Sequence, residues 1–195
     1  TKASAAGVLI FKILKALKIS INQEIATNLY CALITDTGRF SYQNTTPETL
    51  VIASELLSNG FDNEELNYHL FEENSPARLK LLSYCLGTLE LKEDGKVASI
   101  YLDRKMFEKS GASLGDTEGF INYARSITGV LVGILFREIA PGRIKVGFRS
   151  RGVINVGKIS IDFGGGGHRN AAGCEIKGTL EEVRSKVFEA VRRAL

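Results

Sequence analysis

Residues 164–173 read Gly-Gly-Gly-Gly-His-Arg-Asn-Ala-Ala-Gly, and the rest of the chain is best understood outward from them. Four successive glycines open backbone conformations that side chains forbid, so several N–H groups can turn toward one point. Such a concavity suits a phosphate, and it lets a planar base or sugar come close to the main chain. His168 adds a proton-switchable donor and Arg169 a fixed positive charge, while Asn170-Ala171-Ala172-Gly173 permits close packing behind. A flexible linker would be polar on both sides. Here Ile161 and Phe163 precede the run, and Cys174 and Ile176 follow it, which favours a ligand-binding loop. The run lacks the Gly-Lys-Ser/Thr ending of a nucleoside-triphosphate loop. It also lacks the glycine spacing, long helix and downstream acid of a dinucleotide fold.

The chain has 195 residues, 44% hydrophobic and 24% charged, the composition of an ordinary globular protein able to bury a core. No apolar run approaches the roughly 20 residues needed to span a bilayer, so no membrane association is expected. Cys31, Cys85 and Cys174 are odd in number and set in apolar sequence, as expected of buried, reduced thiols in a cytoplasmic protein. The net charge of +3 is small, but its distribution is uneven. Arg143, Lys145, Arg149, Arg151, Lys158 and Arg169 face one acidic residue, Asp162, between positions 143 and 169. That excess surrounds the glycines and would attract a phosphorylated ligand.

The first part of the chain reads as helical. The segment Val8 to Leu14 is apolar nearly all round and expects burial on several sides, by residues that would lie upstream of Thr1. A second helix starts near Asn22, and the polar break Thr35-Asp36-Thr37-Gly38-Arg39-Phe40 ends it. Thr46-Pro47 opens a third, and Asp62 with Glu65 predicts a capping box. Ser75-Pro76 starts another helix running to about Gly87. Strands follow: a hairpin turning at Asp94-Gly95, and a second pair, 130–139 with 144–148, joined by Pro141-Gly142. A helix is predicted over 118–127, and a last one follows the Thr179–Glu182 capping box. The predicted class is α/β in an α+β arrangement, with a helical part over 1–73 and an α+β part with a central mixed sheet over 74–195.

Asp36, beside Thr35, Thr37 and Gly38, is a candidate ligand for a hard metal ion, although Asp next to Gly is also a common turn former. Arg149-Ser150-Arg151 ends a strand with an arginine fork and a hydroxyl suited to phosphate. Taken with Asn44-Thr45-Thr46, Gly147-Phe148-Arg149-Ser150, Thr117-Glu118-Gly119 with Asn122, and the glycine–histidine run, these segments resemble the DHH phosphoesterase family, NrnA type. The resemblance implies a hydrolase of short single-stranded RNA or DNA, or of phosphoadenosine phosphate. It implies a catalytic domain holding two manganese ions and a substrate-binding DHHA1 domain. Carried over by position, Asp36 would be catalytic and a metal ligand. Arg149, Ser150, Gly165, Gly166, Gly167, His168 and Asn170 would hold the nucleotide. The Asp-His-His motif that names the family is absent, since the only histidines are His69 and His168. The metal site is therefore incomplete, the catalytic domain is expected to lack its N-terminal segment here, and this chain alone is expected to be inactive. A homodimer is among the assemblies allowed. The alternatives are a non-catalytic nucleotide-binding module and a related phosphodiesterase of cyclic dinucleotides.

Overall fold

The computed structural model describes residues 3–195 and divides into two compact units, one ending at Glu73 and one spanning Asn74–Leu195. The first unit contains helices α1 (Ala6–Ala16), α2 (Gln23–Asp36), α3 (Pro47–Leu57) and α4 (Asn63–Asn67), followed by a π-helical turn at Tyr68–Glu72. Polar caps choose the helix starts. Asn22 accepts from the Ile25 N–H at 2.9 Å, and Thr46 and Thr49 form a reciprocal box with Pro47 in the first turn. The box expected at Asp62 is only half made. Asp62 accepts from the Glu65 N–H, but the Glu65 carboxylate lies 3.8 Å from His69 instead of returning to the cap.

Val8, Phe11, Leu29, Leu33, Ile52 and Leu56 form the core of this unit. Helices α1 and α2 approach closely at Gly7, where a Cβ would sit 2.8 Å from Leu33 Cδ1. The burial expected all round α1 is found on one side only. Gly7, Val8 and Phe11 are buried, whereas Ile10, Ile13 and Leu17 are exposed.

The second unit runs α5 (Pro76–Leu86), β1 (Glu90–Lys92), β2 (Val97–Leu102), α6 (Arg104–Ser110), α7 (Ile121–Ser126), β3 (Val132–Ala140), β4 (Arg143–Ser150), α8 (Val156–Asp162), β5 (Gly166–His168), β6 (Ala171–Lys177) and α9 (Leu180–Arg192). Its six strands lie in the order β1-β2-β3-β4-β6-β5. Strands β2 and β3 are parallel and the other neighbours antiparallel, so the sheet is mixed as predicted. The helix predicted from residue 118 begins only at Ile121, because Gly115–Thr117 forms a 3₁₀ turn and Gly119 takes φ +81°.

Alternation along β4 sends Ile144, Val146 and Phe148 to one face of the sheet and Lys145, Gly147 and Arg149 to the other. The first set packs under α8 and α9 with Cys174, Ile159, Val183, Val187 and Val191. The opposite face is covered over β2 and β3 and as far as the near side of β4. There Ile100, Leu102 and Leu135 pack against Leu81, Phe120 and Ala124 of the second helical layer. That layer ends over β4, where Ile121 meets the space above Gly147.

Candidate functional site

Beyond β4, one half of a sheet face is left without a helix over it. Gly147, Gly173 and Gly166 stand side by side there on β4, β6 and β5. Three side-chain-free positions in one row make a smooth floor. The neighbouring row carries Arg149, Ala171 and His168. Strands lie about 4.8 Å apart, so the backbones of Arg149 and His168 are roughly 10 Å apart. On the other side of the floor Lys145 is exposed opposite Glu175, whose carboxylate is taken by Arg143 at 2.7 Å. Among the described residues no carboxylate lies within ion-pair distance of Arg149 or Lys145. The open half-sheet therefore presents cationic and imidazole groups around a flat floor, a surface for an anionic, planar ligand.

The glycines of residues 164–167 act individually. The expected concave cradle of N–H groups is not formed, because the first two are spent closing α8 and the next residues are drawn out as an edge strand. Gly164 N–H donates to Ile161 O and Gly165 N–H to Ser160 O, closing α8, while Gly166–His168 pairs with β6. Gly165 is a close-approach position. A Cβ there would lie 2.3 Å from Gly173 O and 2.6 Å from Ser160 Oγ. Gly167 takes φ +138°, and its Cβ would strike Ala171 O at 2.5 Å. Gly164 and Gly166 have nothing within 4 Å of such a carbon; Gly164 is explained by its φ of +73°, whereas at Gly166 neither packing nor a left-handed backbone explains the missing side chain. Ser160, fully buried, donates to Gly173 O at 2.7 Å and bonds Gly166 O at 3.3 Å, tying α8 to both strands.

His168 is exposed at the end of β5, and Arg149 is half-buried with Nη1 donating to Phe148 O at 3.1 Å. Ser150 faces the opposite way, 4% exposed, with its hydroxyl donating to Ile154 O at 2.8 Å and accepting from Asn170 Nδ2 at 3.0 Å. Its N–H also donates to Asn170 O, so these two residues fasten the ends of β4 and β6 behind Arg149 and His168. Sequence reading missed Ser160; it named Lys145 only within the basic excess, and Gly147 and Gly173 only within separate motifs, without their pairing. It also missed Arg137, although a charged residue inside the apolar run 130–139 is a readable signal.

Among the three free cysteines, Cys85 and Cys174 are buried and Cys31 only half-buried, a correction to the expectation that all three are enclosed. Burial pushes the Cys85 thiol up to about 12 and the Cys174 thiol up to about 11, so both stay neutral. Asp36 is the last residue of α2 rather than part of the break after it. Its carboxylate is exposed, and its backbone carbonyl accepts from Asn44 Nδ2 at 3.1 Å. No three His, Cys, Asp or Glu side chains gather to hold a metal ion among the described residues. A divalent cation needs several such donors, so the residues present do not fit a two-manganese centre. No helix among the described residues is long and apolar enough to cross a membrane.

Residues 94–195, which contain the whole open half-sheet, match the DHHA1 domain. The chain belongs to the DHHA1 family. Over 193 residues it is 34% identical to the bifunctional oligoribonuclease and PAP phosphatase NrnA of Thermus thermophilus, covering 98% of this chain and 57% of that protein. It is 31% identical to the Bacillus subtilis protein of the same name, covering 80% of this chain and 49% of the relative. A crystal structure of an exopolyphosphatase-related protein from Bacteroides fragilis superposes with a TM-score of 0.92 at 34% identity, covering 98% of this chain and 57% of that one. The DHHA1 chain thus resembles NrnA-type proteins of the DHH group and spans about half the length of these relatives.

Proposed function

We propose that this chain is the nucleotide-holding part of a DHH-type phosphoesterase acting on short oligonucleotides or phosphoadenosine phosphate. The observation that carries the reading is the uncovered half of the DHHA1 sheet, with its glycine floor between His168 and Arg149 on one side and Lys145 on the other. A base or sugar lies flat on Gly147, Gly173 and Gly166. Arg149, His168 and Lys145 hold phosphate oxygens, and Ser150, Asn170 and Ser160 position the strands that carry them. The names of the NrnA relatives support the substrate class. On the same proposal Asp36 is one donor to a manganese pair, and the other donors come from sequence this chain does not carry.

The experiment is a titration of adenylyl-adenosine against the chain and its His168→Ala variant, with a melting curve for each. A charge-assisted bond contributes about 1.5–3 kcal/mol, so affinity should fall about ten- to hundred-fold with Tm unchanged. Unchanged affinity with a collapsed Tm would make His168 a structural residue and remove the reading.

A further inference from the structure

Next to the glycine floor, a cavity of about 330 Å³ opens between the turn at 114–121 and strands β3 and β4. Its lining includes Thr117, Glu118, Gly119, Arg137, Gly147 and Arg149. This volume is at the small end of the range for small-ligand sites.

Arg137 is the unusual member. It extends from β3 with a half-buried side chain, and its Nη1 donates to Thr117 Oγ1 at 2.6 Å. Its Nε is buried without a hydrogen-bond partner. Among the described residues no carboxylate lies within ion-pair distance of it. The titratable group that acts on it is Cys85, which burial keeps as a neutral thiol. A guanidinium in this setting carries an uncompensated charge, and leaving it so lowers stability relative to a neutral side chain of similar size. Its position is nevertheless fixed. Thr117, 2% exposed, accepts from Arg137 while donating to Leu114 O at 2.7 Å. Arg78 holds the same turn by donating to Asp116 O and to Glu118 O. Arg149, also without a carboxylate partner among the described residues, lines the cavity from β4.

We infer that this cavity takes a terminal sugar phosphate of the nucleotide, with the phosphate held between Arg137 and Arg149. Two guanidinium groups supply donors in the fork geometry that phosphate accepts. Glu118 lines the cavity too, and a carboxylate accepts from a sugar hydroxyl, which adds affinity for a phosphate ester of a sugar over phosphate itself. The inference rests on the glycine floor being the nucleotide site. It adds that the protein distinguishes ligands by a phosphate that is not the one bridging two nucleosides.

The test compares the 195-residue chain with Arg137→Met, using adenosine, adenosine 5′-monophosphate, adenosine 3′-monophosphate and inorganic phosphate as probes. In the unaltered chain at least one monophosphate should bind about ten-fold or more tightly than adenosine, and Arg137→Met should erase that gain while leaving adenosine affinity unchanged. Inorganic phosphate should shift the amide resonances of Thr117 and Gly119 in the unaltered chain and not in the variant. The Tm of Arg137→Met should stay level or rise, because a neutral side chain replaces an unpaired charge. Should that variant fail to fold, Thr117→Val removes the anchor of the guanidinium without removing its charge, and phosphate affinity should fall several-fold. A phosphate gain that survives Arg137→Met, or amides at 117 and 119 that ignore phosphate, overturns the inference. Phosphate shifts at these amides without adenosine binding would support the cavity and sink the glycine-floor reading. Equal binding of adenosine and both monophosphates would do the reverse.

Discussion

Gly133 and Gly166 point to the same face of one sheet, yet their missing side chains have opposite causes. Over β3 the helical layer presses so close that a Cβ on Gly133 would lie 2.8 Å from the Arg125 backbone nitrogen. Over β5 there is no helix, and a Cβ on Gly166 would meet nothing within 4 Å. One glycine is demanded by packing. The other is unexplained by packing within the chain, and on the proposed reading it keeps a surface clear for the ligand. The comparison separates folding from binding along a single sheet face, and substitutions can test it from both sides.

The largest effect is expected on the covered half. Gly133→Val forces branched carbon atoms into a helix backbone that cannot step aside, and overpacking of this kind costs up to about 3 kcal/mol. Chemical denaturation should show a clear loss of stability; a variant as stable as its parent would mean that α7 does not bear on β3 as described. Gly166→Val should behave in the opposite sense. Stability should stay within about 0.5 kcal/mol of the parent, while affinity for adenylyl-adenosine falls at least about ten-fold, an effect of about 1.4 kcal/mol. If ligand binding is untouched, the open half-sheet is not the nucleotide site.

A third change calibrates the covered side of the α8–α9 face. Thr179 accepts from the Glu182 N–H and Glu182 returns to the Thr179 N–H at 2.9 Å, so Thr179→Ala should cost about 1 kcal/mol without altering ligand affinity. A loss of affinity there would show that the two faces of the sheet are coupled. The smallest effect belongs to the first unit. Glu73 bonds His69 at 2.8 Å and, with Glu65, raises the imidazole above its ordinary 6.5. The folded value exceeds the unfolded one, so this stabilisation is complete below about 6.5 and is lost as pH rises through the folded value. The His69 ring resonances should titrate above 6.5, and Glu73→Gln should move the midpoint down. A midpoint indifferent to Glu73 would disprove the pairing.

Much of the fold was legible because local chemistry decided it. Ser75-Pro76, Thr46-Pro47 and Thr179 with Glu182 mark helix starts that the structure keeps, and Asp94-Gly95 turns the first hairpin. The glycine run was only half legible. Its composition announces close approach, which Gly165 and Gly167 make, but not that Gly166–His168 would pair as a strand with β6. That pairing depends on Ala171–Lys177 being held in place by β4 and on Ser160 bridging from α8. Helix α6 had a readable signature, Asp103 as cap and Gly111 at φ +72° as its end, yet its seven residues are too short for periodicity to stand out. The open floor was not legible at all. Gly147 and Gly173 are 26 positions apart in sequence, and only the β4–β6 register makes them neighbours.

The sheet ends on both sides in a strand of three residues, Glu90–Lys92 at one margin and Gly166–His168 at the other. A long bare margin is a template on which a second chain can extend the hydrogen-bonded ladder. Here one margin is short and carries a glutamate and a lysine, and the other is short and rich in glycine, which forms ladders poorly. Both margins are thereby poor templates for a ladder shared with a second copy of the chain.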